Sequence, residues 1–294
     1  MDEHKIIILD SGRNYDVLRG KINDNVTLVK GHIYNQTILK DSMKDVDIVI
    51  HLKGGGGNKL CLADPAKAVK IHIIGTNYLV DEAIRSKVSL FIYASTHYVY
   101  PTNINKDLIF TENSEIIPDS FYGNLKSVAE HYIKERMPYI ILRLANIYGY
   151  GIGINTKWGG VINKLLKQSL TSSEITLTGN VAQLMNFIHV NDVTNAIRCI
   201  INSKYKNKTY NVCSTKGARL DGIANIIADS SKKLNKKMII INHKLNDVES
   251  STLPNRFLSN RKITSDLDWS PKIGLSEGID DTILKIIEET SCLN

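Results

Sequence analysis

The sequence is poor in the features that mark several protein classes. Its four cysteines (Cys61, Cys199, Cys213 and Cys292) are scattered, with no Cys-x-x-Cys. That usage suits a reducing cytoplasm and argues against a disulfide-stapled miniprotein and a zinc site. No hydrophobic run is long: Lys5–Leu9 and Met238–Ile241 last about five residues, against the ~20 needed to cross a bilayer. The opening residues, MDEHKIIILD, mix acids with a short apolar run and match neither a secretory leader nor a transit peptide. There is no internal repeat or low-complexity block, and the composition excludes a disordered tail and a collagen-like chain.

What remains is an ordinary soluble composition, 294 residues with 43% hydrophobic and 23% charged, enough for one large domain or two modest ones. The net charge is +7, from 37 Lys+Arg against 30 Asp+Glu. The lysines spread from Lys5 to Lys285, with one knot at Lys232, Lys233, Lys236 and Lys237 that a helix surface explains. Unclustered charge does not predict a nucleic-acid partner, whereas polyanionic small molecules such as nucleotides suit it.

The first half alternates β-branched runs with helical spacing, the pattern of a parallel α/β sheet. Ile6–Leu9, Val26–Val29, Val46–His51, Leu90–Ala94 and Tyr139–Leu142 read as strands covered on both faces. Gln36–Met43, Ala66–Ser86 and Tyr122–Arg136 read as helices, the last with Val128, Ala129, Tyr132 and Ile133 on one face. After Gly149 a glycine-rich stretch leads to a helix near Val161–Ser169 and a strand at Glu174–Leu177. A turn at Gly179-Asn180, an apolar run at Asn186–Val190, a helix from Asp192 and a strand at Thr209–Val212 follow, then helices from Leu220 and Leu275. The expected organisation is a dinucleotide-binding-type domain over 1–150 and a smaller α/β substrate domain over 151–294, the chain returning to the main sheet near 186–215.

Tyr122 and Lys126 form Tyr-x-x-x-Lys at the start of a helix. Four apart, they share a face, and an ammonium beside a phenol draws its pKa down from about 10 toward a usable acid/base range. Upstream, Ser95 and Thr96 put two hydroxyls where an apolar strand ends, and open α/β sheets bind ligands beyond the carboxyl ends of their strands. Gly54–Gly57 reads as a flexible surface loop; its spacing fits no nucleotide motif, and no P-loop is present.

Together with Asp45-Val-Asp47-Ile-Val-Ile-His51-Leu52, Gly75-Thr76, Ser95-Thr96-x-x-Val99-Tyr100, Arg143-Leu-Ala-Asn146-Ile-Tyr-Gly149, Phe187-Ile-His-Val-Asn-Asp192-Val, Tyr210-Asn211-Val and Asp268-Trp269-Ser-Pro271-Lys, this pair gives the chain a resemblance to a known family. Over nearly its whole length it resembles the extended short-chain dehydrogenase/reductases, in their NAD-dependent sugar-nucleotide epimerase/dehydratase branch. The resemblance implies a Rossmann-like, doubly wound parallel sheet. It makes Tyr122 the proton acceptor and donor on a sugar hydroxyl, Thr96 the hydroxyl bonded to the substrate oxygen with Ser95 beside it, and Lys126 the group that holds the nicotinamide ribose. Asn146 would touch the substrate near the sugar–diphosphate link, and His51 and Leu52 would lie along the cofactor. It also implies a nucleotide-sugar substrate and a homodimer built on helices 66–86 and 122–136.

Some positions depart from the family. The glycine-rich turn that should open the fold is missing: Ile6–Leu9 leads into Asp10-Ser-Gly12-Arg13-Asn, with one glycine. Ile6–Asp10 instead resembles the family's second strand, whose terminal carboxylate binds the adenosine ribose and favours NAD over NADP. The favoured expectation is a chain that starts one strand–loop–helix unit late. The alternatives are Ile6–Leu9 in the first-strand place with an unusual loop, or another segment filling the gap. Met185-Asn186 stands where the family has Arg-Asp, and methionine offers no fork to a phosphate; Arg256 sits where a second phosphate-binding arginine is placed. His72 replaces an asparagine and is expected to pack in a helix. His97-Tyr98 replaces the Asp-Glu of 4,6-dehydratases, which disfavours that reaction and leaves an epimerase or a ketose reductase. The expectation is a cytoplasmic NAD-dependent epimerase; the alternative is a non-catalytic relative that binds a sugar nucleotide or a protein partner.

Overall fold

The computed structural model describes residues 4–12, 22–54, 56–101, 106–151, 160–179, 181–244 and 255–291. Arg13, Gly55, Asn180, Cys292 and residues 152–159, to which parts of the sequence reading refer, lie outside them.

Along the chain run β1 (Ile6–Asp10), β2 (Val26–Lys30), α1 (Gln36–Ser42), β3 (Ile48–His51), α2 (Asn58–Ala63) and α3 (Pro65–Val69). A π-helical segment, Lys70–Gly75, passes into α4 (Thr76–Arg85); β4 (Leu90–Thr96), β5 (Leu108–Phe110), α5 (Phe121–Arg136), β6 (Tyr139–Leu144) and β7 (Asn146–Tyr148) follow. Then come α6 (Val161–Thr171), β8 (Glu174–Thr178), β9 (Met185–His189), α7 (Val190–Ile201), β10 (Lys208–Val212), β11 (Gly217–Ala218) and α8 (Leu220–Asn235). β12 (Ile240–Lys244), β13 (Arg256–Leu258), α9 (Arg261–Leu267) and α10 (Leu275–Ser291) complete the described chain.

Side-chain caps set several helix starts. Asn35 accepts from Ile38 N–H ahead of α1, Asp64 from Lys67 N–H ahead of α3 with Pro65 in the first turn, and Ser120 from Gly123 N–H ahead of α5. The helix expected over 66–86 is therefore three pieces, and its π segment ends at a glycine for a steric reason. A Cβ on Gly75 would stand 2.6 Å from the Ile33 side chain. On α5 the expected apolar face is corrected: Val128 is exposed, and Leu125, Ala129 and Ile133 are the buried apolar positions. β4 and β6 each run two residues further than expected, so Ser95 and Thr96 are the last residues of the strand.

The chain forms two compact units, Met1–Ser95 with Ser120–Ile141 and Lys206–Lys208, and Thr96–Asp119 with Leu142–Tyr205 and Thr209–Asn294. In the first, β1 and β2 pair in parallel as a sheet of two, and β3, the last strand of its sheet, pairs in parallel with β4. Leu39, Val49, Leu79, Phe91, Ala129 and Ile133 centre the core of this unit. β1 thus does not take the first-strand place beside β3, and among the described residues nothing else pairs there. In the second unit β13 pairs in parallel with β5 and β9, β7 also lies on β9, and β12 pairs with β8. Ile162, Leu166, Ile175, Phe187, Ile227 and Ile279 anchor its core. The class is α/β with mainly parallel pairing, as expected.

Candidate active site

In the first unit, Tyr122 and Lys126 occupy the first turns of α5, and Tyr122 N–H donates to Asn58 Oδ1 at 3.2 Å. Lys126 Nζ lies 6.0 Å from the centre of the Tyr122 ring and 4.6 Å from that of Tyr93, and donates to Ala94 O at 2.7 Å. Its burial pushes the ammonium pKa down to about 8, against the opposing charge of Glu130. Glu130, one turn further along α5, is buried and accepts from Ser95 Oγ. The hydroxyl proton of Ser95 is thus directed at Glu130 rather than outward. His72 packs edge-on against Tyr122 at 5.7 Å, with Nε2 3.9 Å from Cys61 Sγ; burial pushes its pKa down to about 3, so the ring is neutral. It packs in a helix, as expected.

Asp10 ends β1, accepting from Gly12 N–H at 2.9 Å and pairing with Lys53 at 3.3 Å. Partial burial alone would raise its pKa; the Gly12 amide and the Lys53 ammonium outweigh this and hold it below the usual value. His51 is buried, with Nε2 3.0 Å from Thr76 Oγ1, whereas Leu52 is 62% exposed just past the end of β3.

In the second unit, Thr96 Oγ1 accepts from Tyr98 N–H at 3.3 Å, leaving its own hydrogen to donate. Asn146 and Arg256 line one small pocket together with His97, Met185, Asn186 and Phe257. Asn146 Nδ2 donates to Asn186 O at 3.2 Å. His97 Nε2 and Arg256 Nε are buried with no hydrogen-bond partner among the described residues. Burial, then the charge of Arg256, pushes the His97 pKa down to about 3 against a hydrogen bond with Asn146. The pocket therefore offers one cation and a neutral imidazole with unmet hydrogen-bonding capacity.

The model of the NAD dependent epimerase/dehydratase family matches residues 2–213. The chain belongs to that family. A human dTDP-D-glucose 4,6-dehydratase is 24% identical over 280 residues, covering 92% of this chain and 77% of its own length. A putative UDP-glucose 4-epimerase of Methanocaldococcus jannaschii is 27% identical over 284 residues, 90% of this chain and 88% of its own. Among solved structures, a UDP-N-acetylglucosamine 4-epimerase from Methanobrevibacter ruminantium has a TM-score of 0.85 at 22% identity, covering 98% of this chain and 92% of that one. This likeness establishes the Rossmann-type fold.

Much of what marks the chain as a member of this family is scaffold. Asp192 is buried and accepts from Lys272 N–H at 2.9 Å and Ile273 N–H at 3.1 Å, which ties the Phe187–Val193 motif to the Asp268–Lys272 motif. Tyr100 donates to Asn211 Oδ1 at 2.8 Å and receives Arg143 Nη1 at 2.9 Å, so three further motif residues form one buried network. The sequence reading did not pick out Glu130, Asn58 or the placement of His97. Glu130 carried a signal, standing four residues after Lys126 on the same face.

For NAD, the cofactor named in the family description, the residues fit at two ends. Asp10 ends β1 as a carboxylate held below its usual pKa by the Gly12 amide and Lys53, an anionic acceptor of the kind a ribose hydroxyl takes. Lys126 suits the nicotinamide ribose. Between them, no glycine-rich turn follows a strand among the described residues to supply donors to the diphosphate.

Proposed function

We propose that the chain is an NAD-dependent epimerase acting on a nucleotide-activated sugar through Thr96, Tyr122 and Lys126. The observation that carries this reading is Lys126, buried one turn after Tyr122 with its ammonium 6.0 Å from the ring centre, which supports a role in stabilising a phenolate. NAD would supply the hydride acceptor and, in the return step, the donor. Tyr122 takes the proton of the sugar hydroxyl as its carbon is oxidised and returns it afterwards; Thr96 donates to the same oxygen. Asn146 and Arg256 hold the nucleotide diphosphate, with Arg256 offsetting in part the arginine that Met185 does not provide. The absence of a carboxylate at His97-Tyr98 supports epimerisation, or reduction of a ketose, over 4,6-dehydration.

Tyr122→Phe is expected to abolish interconversion of UDP-glucose and UDP-galactose, or of whichever nucleotide sugar a screen identifies, with the circular dichroism spectrum unchanged. Retained turnover overturns the acid/base assignment. A second reading, a relative that binds a sugar nucleotide or a protein without turnover, is favoured by the missing diphosphate turn. Mass spectrometry of nucleotide released on denaturation, followed by NAD titration, separates the two: stoichiometric NAD supports the enzyme, and no binding in folded protein supports the binder.

We also propose a homodimer through helices 66–86 and 122–136. Ile74, Ile84 and Val128 support it as exposed apolar side chains on these helices.

A further inference from the structure

The small pocket of the second unit is built where two strands begin. β7 and β13 both pair in parallel with β9, Asn146 opposite Phe187 and Arg256 opposite Met185. Both strands thus start at the same end of β9 and carry Asn146 and Arg256 there. His97 comes from the short helical turn His97–Val99, whose start Thr96 caps with its hydroxyl. Phe110, Phe257 and Leu258 add apolar walls.

Two polar atoms of this pocket have no partner among the described residues, His97 Nε2 and Arg256 Nε. Asn146 decides which of them gives a proton. Its Nδ2 faces the carbonyl of Asn186, which can only accept, so Oδ1 is the acceptor turned to the ring of His97. Burial, then the charge of Arg256, keep that ring neutral; against them works the bond with Asn146, which favours the protonated ring, as a bond the ring donates does. With Nε2 unpartnered, the donor in that bond is Nδ1–H. Nε2 therefore keeps a lone pair, and Arg256 Nε keeps an N–H.

We propose that this pocket takes the hydroxymethyl group of a nucleotide-activated hexose, and that His97 and Arg256 select it. The proposal rests on the nucleotide-sugar reading of the site. One hydroxyl donates to His97 Nε2 while accepting from Arg256 Nε–H, so a single group meets both atoms. Its carbon lies against the phenylalanine and leucine side chains, and the pocket is too small for a sugar ring. In a hexose the hydroxymethyl group sits on the ring carbon next to C4, whose oxygen Thr96 holds in a 4-epimerisation. A carboxylate would set its charge against the Nε2 lone pair, and a methyl group or a missing carbon would strand both polar atoms. The preferred substrates are therefore hexoses with a free 6-hydroxyl, over 6-deoxyhexoses, uronic acids and pentoses.

Calorimetric titration of the purified protein compares UDP, UDP-glucose, UDP-6-deoxyglucose, UDP-glucuronate and UDP-xylose, and needs no turnover. UDP-glucose is expected to bind at least about tenfold more tightly than each of the other three sugars. His97→Phe is expected to erase that preference, leaving UDP-glucose no tighter than UDP-6-deoxyglucose. Imidazole nitrogen NMR reads the same contact in the unsubstituted protein: the His97 Nε2 resonance should shift with UDP-glucose and not with UDP or UDP-6-deoxyglucose. Equal affinities for UDP-glucose and UDP-6-deoxyglucose with an unmoved resonance overturn the proposal and identify a buried water as the partner of both atoms. Tightest binding of UDP-glucuronate overturns it in favour of a carboxylate on a protonated ring. If UDP binds and no sugar adds affinity, the hydroxymethyl assignment falls alone; if neither UDP nor any of the sugars binds, the nucleotide-sugar reading falls with it.

Discussion

Around Lys126, burial and a neighbouring carboxylate pull in opposite directions. Burial pushes its pKa down to about 8, and the negative charge of Glu130 pulls it back up. An ammonium that loses its proton near pH 8 stops stabilising a phenolate, so turnover should fall on the alkaline side at about that pH. Glu130→Gln keeps an acceptor for Ser95 but removes the charge. The alkaline limb of kcat is therefore expected to move to lower pH while KM changes little; a limb that stays in place means Glu130 has no electrostatic hold on Lys126. The Tyr122–Lys126 pair was legible in the sequence because i, i+4 spacing alone puts two side chains on one helical face. The bond from Ser95 to Glu130 was not, because it joins residues 35 apart that only packing brings together. The same holds for the pocket, where His97, Asn146 and Arg256 meet from three separate segments.

At the scale of elements, strands were read well and the helix over 66–86 was not. Near-continuous β-branched runs mark strands whatever surrounds them, although cover on both faces holds for β4 and β6 and not for β1 or β3, where Ile6, Ile7 and Ile50 are exposed; a π turn instead inserts a residue and shifts the phase of an otherwise helical pattern. The glycine that ends it answers to a tertiary contact, since Gly75 sits against Ile33, a residue 42 positions earlier whose approach no local pattern announces. α2, at six residues, is too short for periodicity to show. The motif around Asp192 has a structural use that can be measured. Its two oxygens hold the amides of Lys272 and Ile273, so Asp192→Ala strands two donors and is expected to cost about 2–4 kcal/mol in urea unfolding. A loss below about 0.5 kcal/mol, the level of an ordinary surface substitution, would show that the two motifs do not depend on each other. For the proposed dimer, Val128→Lys places a charge on the exposed side of α5. Sedimentation should then report a monomer with unchanged circular dichroism, and an unaltered dimer would place the interface elsewhere.

For the whole molecule, the lack of a glycine-rich turn in the sequence has its counterpart in the split between the β1–β2 sheet and the edge of β3. Stability should depend on buried imidazoles in both units. Burial pushes the pKa values of His51, His72 and His97 each down to about 3, with nearby positive charge adding to the effect. In the unfolded chain each titrates near 6.5. Between those values the unfolded state binds protons that the native state refuses, so stability is fully present above about pH 6.5 and is lost as pH falls toward 3. With three sites taking part, the slope has a ceiling of about 4 kcal/mol per pH unit. Lys126 acts in the same direction on the alkaline side: its native pKa lies below the unfolded 10.5, so its contribution grows as pH rises from about 8 to 10.5. Urea midpoints measured from pH 4 to 7.5 should therefore rise steeply with pH. His51→Gln, which keeps a hydrogen-bonding group for Thr76 without a titrating ring, should flatten that rise by about one proton's worth. A midpoint independent of pH over this range would mean that the imidazoles reach solvent and are not held neutral by burial.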